Sequence, residues 1–334
     1  MIEVKCIVTD PQGTSTDISE FVGEESLSGA IKESTRTLSF KALRSDVDKN
    51  FPKFDINLGD TVTMYEVKDK KQIKFFQGVV WSKSLKDNDV GMDISCYDKA
   101  IYLNKNEPKT QVFTNKTAKD VASTIIAELG LQAGDLADTG TYNFNLRKMT
   151  GYDAIMAAYT KDSEATGKKY KLVDIDGKIN VFEAGEELDM IIEELDEPVV
   201  GKILDCSYKE SMDELVNEVK AIEDQKKDEE KQADIDPKSQ ERYGAIQKVL
   251  KGDSSKMSGL MEDAKKEIDV VCIGDWDMVS GKSIEIKSAI VSGTFYITSD
   301  EHILDDAIHK VSLKLSNELE MDSKKESNDN GESS

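Results

Sequence analysis

The sequence predicts an α+β protein, mainly β: two related antiparallel β-barrel domains, an α+β middle module between them, and a helical insertion in the second barrel. Three observations carry this. Alternating apolar and polar runs joined by polar turns fill residues 1–108 and return after Gly201, the pattern of small antiparallel barrels or sandwiches. Residues 109–200 switch to helix starts and stops followed by a hairpin signal. A set of signals near the C-terminus also echoes one near the N-terminus. Gly59, Thr61, Val62 and Met64 open one copy, and Gly281, Ser283, Ile284 and Ile286 open the other. Each copy continues with a second strand near a glycine (FFQGVVWSKSL, GTFYITSDEHIL) and a closing alternating strand (GMDISC, HKVSLKL).

In the first domain, 1–108, Val4, Cys6 and Val8 alternate with polar neighbours, and Pro11-Gln12-Gly13 makes a turn. A strand follows through Arg36–Phe40, then a helical turn over 45–50. In the strand over 60–67, Val62, Met64 and Glu66 fall in one phase. Asp69-Lys70-Lys71 turns the chain back into 73–81, and Asp87-Asn88-Asp89 turns it again before Met92, Ile94 and Cys96.

In the middle module, 109–200, Thr117 with Asp120 three residues on predicts a capped helix start. Val121, Ile125 and Leu129 then follow at four-residue spacing, and Gly130 is a fitting stop. Thr150 and Asp153 repeat the start signal for a second helix ending before Gly167. Asp176-Gly177 between two apolar runs predicts a hairpin. The second barrel is assigned to 201–222 plus 269–317. Between these parts lie a charged linker and helical insertion, 223–268, with helices over 239–250 and 255–268; 214–222 fits helix or strand. The tail, 318–334, is read as disordered and acidic.

Lysine and arginine number 44 and aspartate and glutamate 66, a net charge of −22. Such a surface repels phosphates, so nucleic-acid binding is not expected. No apolar run approaches the ~20 residues of a membrane helix, and no signal peptide is visible. Cys6, Cys96, Cys206 and Cys272 lie far apart without a CxxC pair, which argues against a disulfide framework or a zinc site. His302 and His309, the two histidines, read as solvent-facing rather than as metal ligands.

Catalytic signatures are weak. No GxSxG elbow is present. Gly281-Lys282-Ser283 lacks the phosphate-loop glycine, since Trp276 holds that position. Asp174-Ile175-Asp176-Gly177 opens like a calcium loop but has Lys178 and Gly185 where oxygen ligands belong. The acidic pairs Glu186-Glu187, Glu193-Glu194 and Glu229-Glu230 read as exposed charge. Trp81 and Trp276 are candidate junction aromatics, with carbohydrate stacking as the competing role. No enzyme, cofactor, metal site or catalytic residue is expected.

Several segments resemble the baseplate hub proteins of contractile phage tails and phage-tail-like bacteriocins, related to the late control D proteins. They are TAKDVASTIIAELGL (117–131), GYDAIMAAYTKDSEATGKKYKLVDIDGKINVFE (151–183), ERYGAIQKVL (241–250), GLMEDAKKEI (259–268), and the closing GDWDMVSGKSIEIK and GTFYITSDEHILDDAIHKVSLKL. The acidic linker and tail lie outside the pattern. Such hubs are similar to the base of type VI secretion spikes. The resemblance implies a homotrimer whose six barrel units join a threefold spike to a sixfold tail tube and initiate tube assembly. It implies a spike protein, tail tube protein, baseplate wedge proteins and a tape measure as partners. It also implies assembly in the bacterial cytoplasm and residence in a phage tail or bacteriocin particle. The competing functions are a tail-tip cell-wall hydrolase and a carbohydrate-binding module.

Overall fold

The computed structural model describes residues 3–45, 48–68, 71–86, 90–222, 230–251, 260–305 and 308–326. The first part supplies β1 (Glu3–Thr9), β2 (Ser15–Asp17), a 3-10 turn (Ser19–Phe21), β3 (Val22–Ala30), β4 (Thr37–Leu43), β5 (Thr61–Lys68), β6 (Lys71–Leu85) and β7 (Gly91–Tyr97). The middle supplies α1 (Ile101–Lys105), β8 (Val112–Thr117), α2 (Ala118–Glu128), β9 (Ala133–Leu136), β10 (Thr141–Asn145), α3 (Gly151–Thr166), β11 (Tyr170–Ile175) and β12 (Lys178–Glu183). The last part supplies β13 (Glu187–Glu193), β14 (Ile203–Ser211), β15 (Glu218–Ile222), β16 (Glu230–Ile235), α4 (Pro237–Tyr243), β17 (Gln247–Lys251), β18 (Lys265–Ile273), β19 (Ser283–Lys287), β20 (Ser292–Asp305) and β21 (Ile308–Ser316).

The protein is mainly β, and thirteen of its strands form one continuous sheet. Its main path runs β14-β18-β21-β20-β3-β4-β7-β6-β5-β1-β2, with β19 and β13 branching from β20. Two units with separate cores share it. Leu38, Phe40, Val62, Met64, Val80 and Ile94 centre the first core. Ile268, Val270, Ile284, Ile286, Val311 and Leu313 centre the second. Alternation explains both, since every second residue of β4 and β21, and of β18 from Ile268 onward, is buried.

The closed barrels expected from the sequence do not form among the described residues. The first unit's β3 pairs with β20 of the second unit, from Ser299 opposite Ala30 to Leu304 opposite Glu25. Backbone groups that barrel closure would use are satisfied across the two units instead, and the sheet stays open. At 14 residues, β20 serves two partners along one edge, its first part pairing with β19 and its second with β3, while β21 pairs along the other edge.

The middle module follows its local signals. Thr117 accepts the Asp120 N–H at 3.0 Å while Asp120 accepts the Thr117 N–H at 3.2 Å, a reciprocal cap on α2. Thr150 caps α3, and Gly167, at φ 80°, ends it. These helices cover a core with Tyr159, Tyr170, Leu172 and Ile179. β13 lies outside this module; it pairs parallel with β19 of the large sheet.

The insertion is not the pair of helices expected. Among the described residues it is a three-stranded sheet, β16-β15-β17, with α4 as the helix. Asp236 caps α4 and Pro237 starts it, but Gly244 stops it. Residues 247–251 then pair parallel with β15, so tertiary pairing overrides helix propensity there. The charged linker also contains strand, β16. The 45–50 turn, the 69–71 and 87–89 turns, the 255–268 helix and residues 223–229 of the linker fall wholly or partly outside the described residues. The tail departs from its reading at its near end: Met321 is buried in the middle core.

Candidate functional site

The joint between the two β-units, where the middle module also meets them, concentrates the buried polar groups. Trp276 enters it from the loop before β19. Its ring stacks on Phe75 of β6 at 4.1 Å and 4°, and lies 4.1 Å from His309 on β21. Its indole N–H donates to Glu66 of β5 at 2.6 Å. A second-unit side chain thus packs against the first unit's core.

His302 and His309 correct the solvent-facing expectation, for both are buried. They sit on neighbouring strands of the β20–β21 hairpin, with Nδ1 of His302 2.9 Å from Nε2 of His309. One ring donates and the other accepts. Burial, and next the proximity of His302, push His309 down to about 3. Burial lowers His302 as well. The pair is therefore neutral at pH 7.

His302 Nε2 lies 3.3 Å from Asp300, which forms an ion pair with Arg36 of the β3–β4 turn. Asp300 also accepts the Ser280 N–H at 2.7 Å. Burial acts to raise the Asp300 carboxyl, but Arg36, His302 and Ser280 together hold it below the usual range.

Lys171 of β11 fastens the middle module to the same turn. Its ammonium donates to the carbonyls of Ala30, Ile31 and Glu33 at 2.5, 3.3 and 2.5 Å. Burial pulls it down to about 8. Asp98 accepts the Arg36 N–H at 2.7 Å, and Asp174 accepts the Lys99 N–H at 3.0 Å. Burial and then the Asp174 charge raise Asp98 to about 8, and burial raises Asp174 to about 6. A cavity of about 440 Å³ opens here between mixed acidic and basic walls that include Arg36, Asp98, Asp174 and Lys282. Each of these side chains has a structural partner, although Arg36 Nε and His302 Nε2 are buried without a hydrogen bond, and the joint holds three bodies in one geometry.

The two candidate tryptophans separate. Trp276 is covered by rings on both faces, which removes it as a carbohydrate platform. Trp81 lies on β6, edge-on to Tyr97 and Tyr102 with Lys105 over its ring, and stays 37% exposed. Among the described residues no group of His, Cys, Asp and Glu could hold a metal, and no helix is long and apolar enough to cross a membrane.

The eight strand-start residues occupy matching places. Gly59 and Gly281 adopt φ of 92° and 96°. The Gly59 N–H donates to the Val80 carbonyl at 3.0 Å, and the Gly281 N–H to the Ile297 carbonyl at 2.9 Å. Thr61 and Ser283 begin β5 and β19, and Val62, Met64, Ile284 and Ile286 point into the two cores. Beyond them the match extends to whole strands. The first unit is ordered β3-β4-β7-β6-β5-β1 and the second β14-β18-β21-β20-β19-β13, each set in the same chain order. One difference stands: β1 pairs antiparallel with β5, whereas β13 pairs parallel with β19.

Arg36, Asp300, Lys171 and Asp98 escape the sequence reading. Asp300 and His302 do carry a signal, for they share the phase of Leu304 in the alternation of β20. A polar residue in the inward phase marks a buried network, as Glu66 does in β5.

The fold is shared with prophage tail proteins. It superposes on the 43 kDa tail protein of prophage MuSo2 from Shewanella oneidensis with a TM-score of 0.70, at 10% identity, over 93% of this chain and 97% of that one. A sequence model of the YQBQ-like family matches residues 26–316, and the chain belongs to that family. It is 23% identical over 321 residues to the uncharacterized protein YqbQ of Bacillus subtilis strain 168. It is 22% identical over 318 residues to protein XkdQ of the phage-like element PBSX from the same strain. Each match covers 90% of this chain and 94% of the relative.

Proposed function

We propose that this chain is a structural hub of a phage-type tail baseplate, three copies of which present six related β-units in a ring. Such a ring adapts a threefold spike to a sixfold tail tube and gives the tube its first layer. The observation that carries this reading is the strand-for-strand equivalence of the two units within one chain. Duplication makes a trimer pseudo-sixfold without a second protein. The fold shared with a prophage tail protein, and the similarity to a protein of a phage-like element, support a tail role.

In this reading the protein is not an enzyme. The partners are further copies of itself, the spike, the tube protein, wedge proteins and the tape measure, met first in the bacterial cytoplasm and then in the finished particle. The buried joint supports it too, since a subunit bearing two units in a rigid ring needs them locked together.

Mass measurement by light scattering, alone and with the spike, followed by electron microscopy, tests the proposal. The expected result is a three-chain particle with six units around a bore. A chain that stays monomeric with the spike present refutes it.

A further inference from the structure

The joint inside the chain is half of a repeating pattern, and its other half is exposed. Inside, β3 of the first unit adds to the far end of β20 in the second. By position in the two units, β3 corresponds to β14 and β20 to β6. The far end of β6 pairs with β7 on one side only, and β14 pairs with β18 only. Among the described residues both outer edges are open.

The correspondence can be set residue by residue. Val80 and Ile297 receive equivalent glycine N–H groups, and each precedes a bulge against the next strand, between Val80 and Ser82 and between Ile297 and Ser299. The ladders carry the match outward: Ser82 pairs with Ser95, Ser95 with Ser39 and Ser39 with Ser26, just as Ser299 pairs with Lys314, Lys314 with Asp269 and Asp269 with Ser207, so Ser26 matches Ser207. Thus Ser299 matches Ser82 and His302 matches Leu85, while Ala30 matches Ser211 and Leu27 matches Tyr208. Carrying the internal register across places Ser82 opposite Ser211, Lys83 opposite Glu210, Ser84 opposite Lys209 and Leu85 opposite Tyr208. One step further, where the Ile31 N–H bonds the Thr298 carbonyl at 2.8 Å inside the chain, Met212 falls opposite Trp81.

We propose that the β14 edge of one copy adds antiparallel to the outer β6 edge of the next in this register, making the sheet continuous from chain to chain. The proposal rests on the hub reading for the number of copies but not for the contact itself. Side-chain chemistry on both edges supports it. The internal positions His302 and Leu27 are 1% and 2% exposed, whereas their counterparts Leu85 and Tyr208 are 48% and 37% exposed. Trp81 and Met212 are likewise exposed, so the register brings apolar against apolar at both ends. Between them it sets the Lys83 ammonium opposite the Glu210 carboxylate. Open strand edges with exposed apolar side chains are a liability that a partner strand removes. A second copy of this chain supplies a strand of matching length, phase and charge.

Ser82 and Ser211 fall at a non-hydrogen-bonded pair, where Cα atoms stand about 4.5 Å apart, within disulfide range. The test is the double variant Ser82→Cys with Ser211→Cys, oxidised at high protein concentration, with mass followed by light scattering and non-reducing electrophoresis. Closed three-chain disulfide species are expected. The shifted pair Ser82→Cys with Lys209→Cys should cross-link several-fold less. Tyr208→Pro added to the in-register pair should lower cross-linking to the shifted level while thermal unfolding persists, because that N–H points to the open edge. Three-chain particles without the in-register disulfide overturn this contact and leave the trimer standing. In-register disulfides in species of another copy number support the contact and overturn the trimer. Neither association nor disulfide overturns both.

Discussion

Replacing Trp276 with alanine should loosen the two β-units from one another. The structure sets the size of the effect. Stacking on Phe75 and the contact with His309, both at 4.1 Å, are worth about 0.5–1.5 kcal/mol each beyond area. Losing the indole N–H strands the buried Glu66 carboxylate, at about 1.5–3 kcal/mol. Together Trp276→Ala should cost about 4 kcal/mol, within the range of large aromatic truncations. Trp276→Phe keeps the stack and loses the N–H, so it should cost about 2 kcal/mol. Urea unfolding followed by far-ultraviolet circular dichroism and by emission of the remaining Trp81 reads both variants. Because several cores share the chain, a second transition should separate from the first in the alanine variant. A Trp276→Ala protein within about 0.5 kcal/mol of the parent, the scatter of ordinary surface changes, refutes the role of the stack. A Trp276→Phe protein as unstable as the alanine variant refutes the division between stacking and hydrogen bonding.

Four further outcomes are expected. Arg36→Ala leaves Asp300 charged and buried without its partner, so thermal unfolding should show a loss of about 3–5 kcal/mol, with Asp300→Ala on the same background recovering part of it. Lys171→Met removes the donor to three carbonyls and should cost about 2–4 kcal/mol, with limited proteolysis newly cutting the β3–β4 turn. His309 is held at about 3, below its ordinary value, so its contribution is present above pH 6.5 and is lost as pH falls toward 3. The raised Asp98 and Asp174 carboxyls act oppositely over pH 4–8, so the test is the difference between parent and His309→Phe: its urea midpoint should fall less between pH 7 and 4, and equal slopes refute the assignment. Gly59→Ala meets nothing within 4 Å and should cost only its left-handed φ, about 1–2 kcal/mol, whereas Gly281→Ala also presses on Lys171 and Phe182 at 3.2 Å and should lower the melting temperature further.

The parts legible in the sequence are those with local causes. Thr117 with Asp120, and Thr150 with Gly167, fix the ends of two helices because a cap is made between residues three or four apart. Asp176-Gly177 makes its hairpin because both residues take positive φ. The phase of Val62 and Met64, and of Ile284 and Ile286, follows from the period of two that any strand imposes. The same period places Glu66, Asp300 and His302 inward, although it does not tell which groups they meet.

Sequence by itself determined the mainly β composition, the helical middle, the faces of the strands and the echo between Gly59 and Gly281. Only the tertiary structure decided that β3 joins β20, that β13 leaves the middle module for the large sheet, and that 247–251 is a strand beside β15. It also decided that His302 and His309 are buried against Trp276. The physical reason is the same in each case. Alternation tells which face of a strand is buried, but strands pair through backbone N–H and C=O groups that nearly every residue carries alike. The choice of neighbour is made by contacts between residues hundreds of positions apart, and those exist only once the chain has folded.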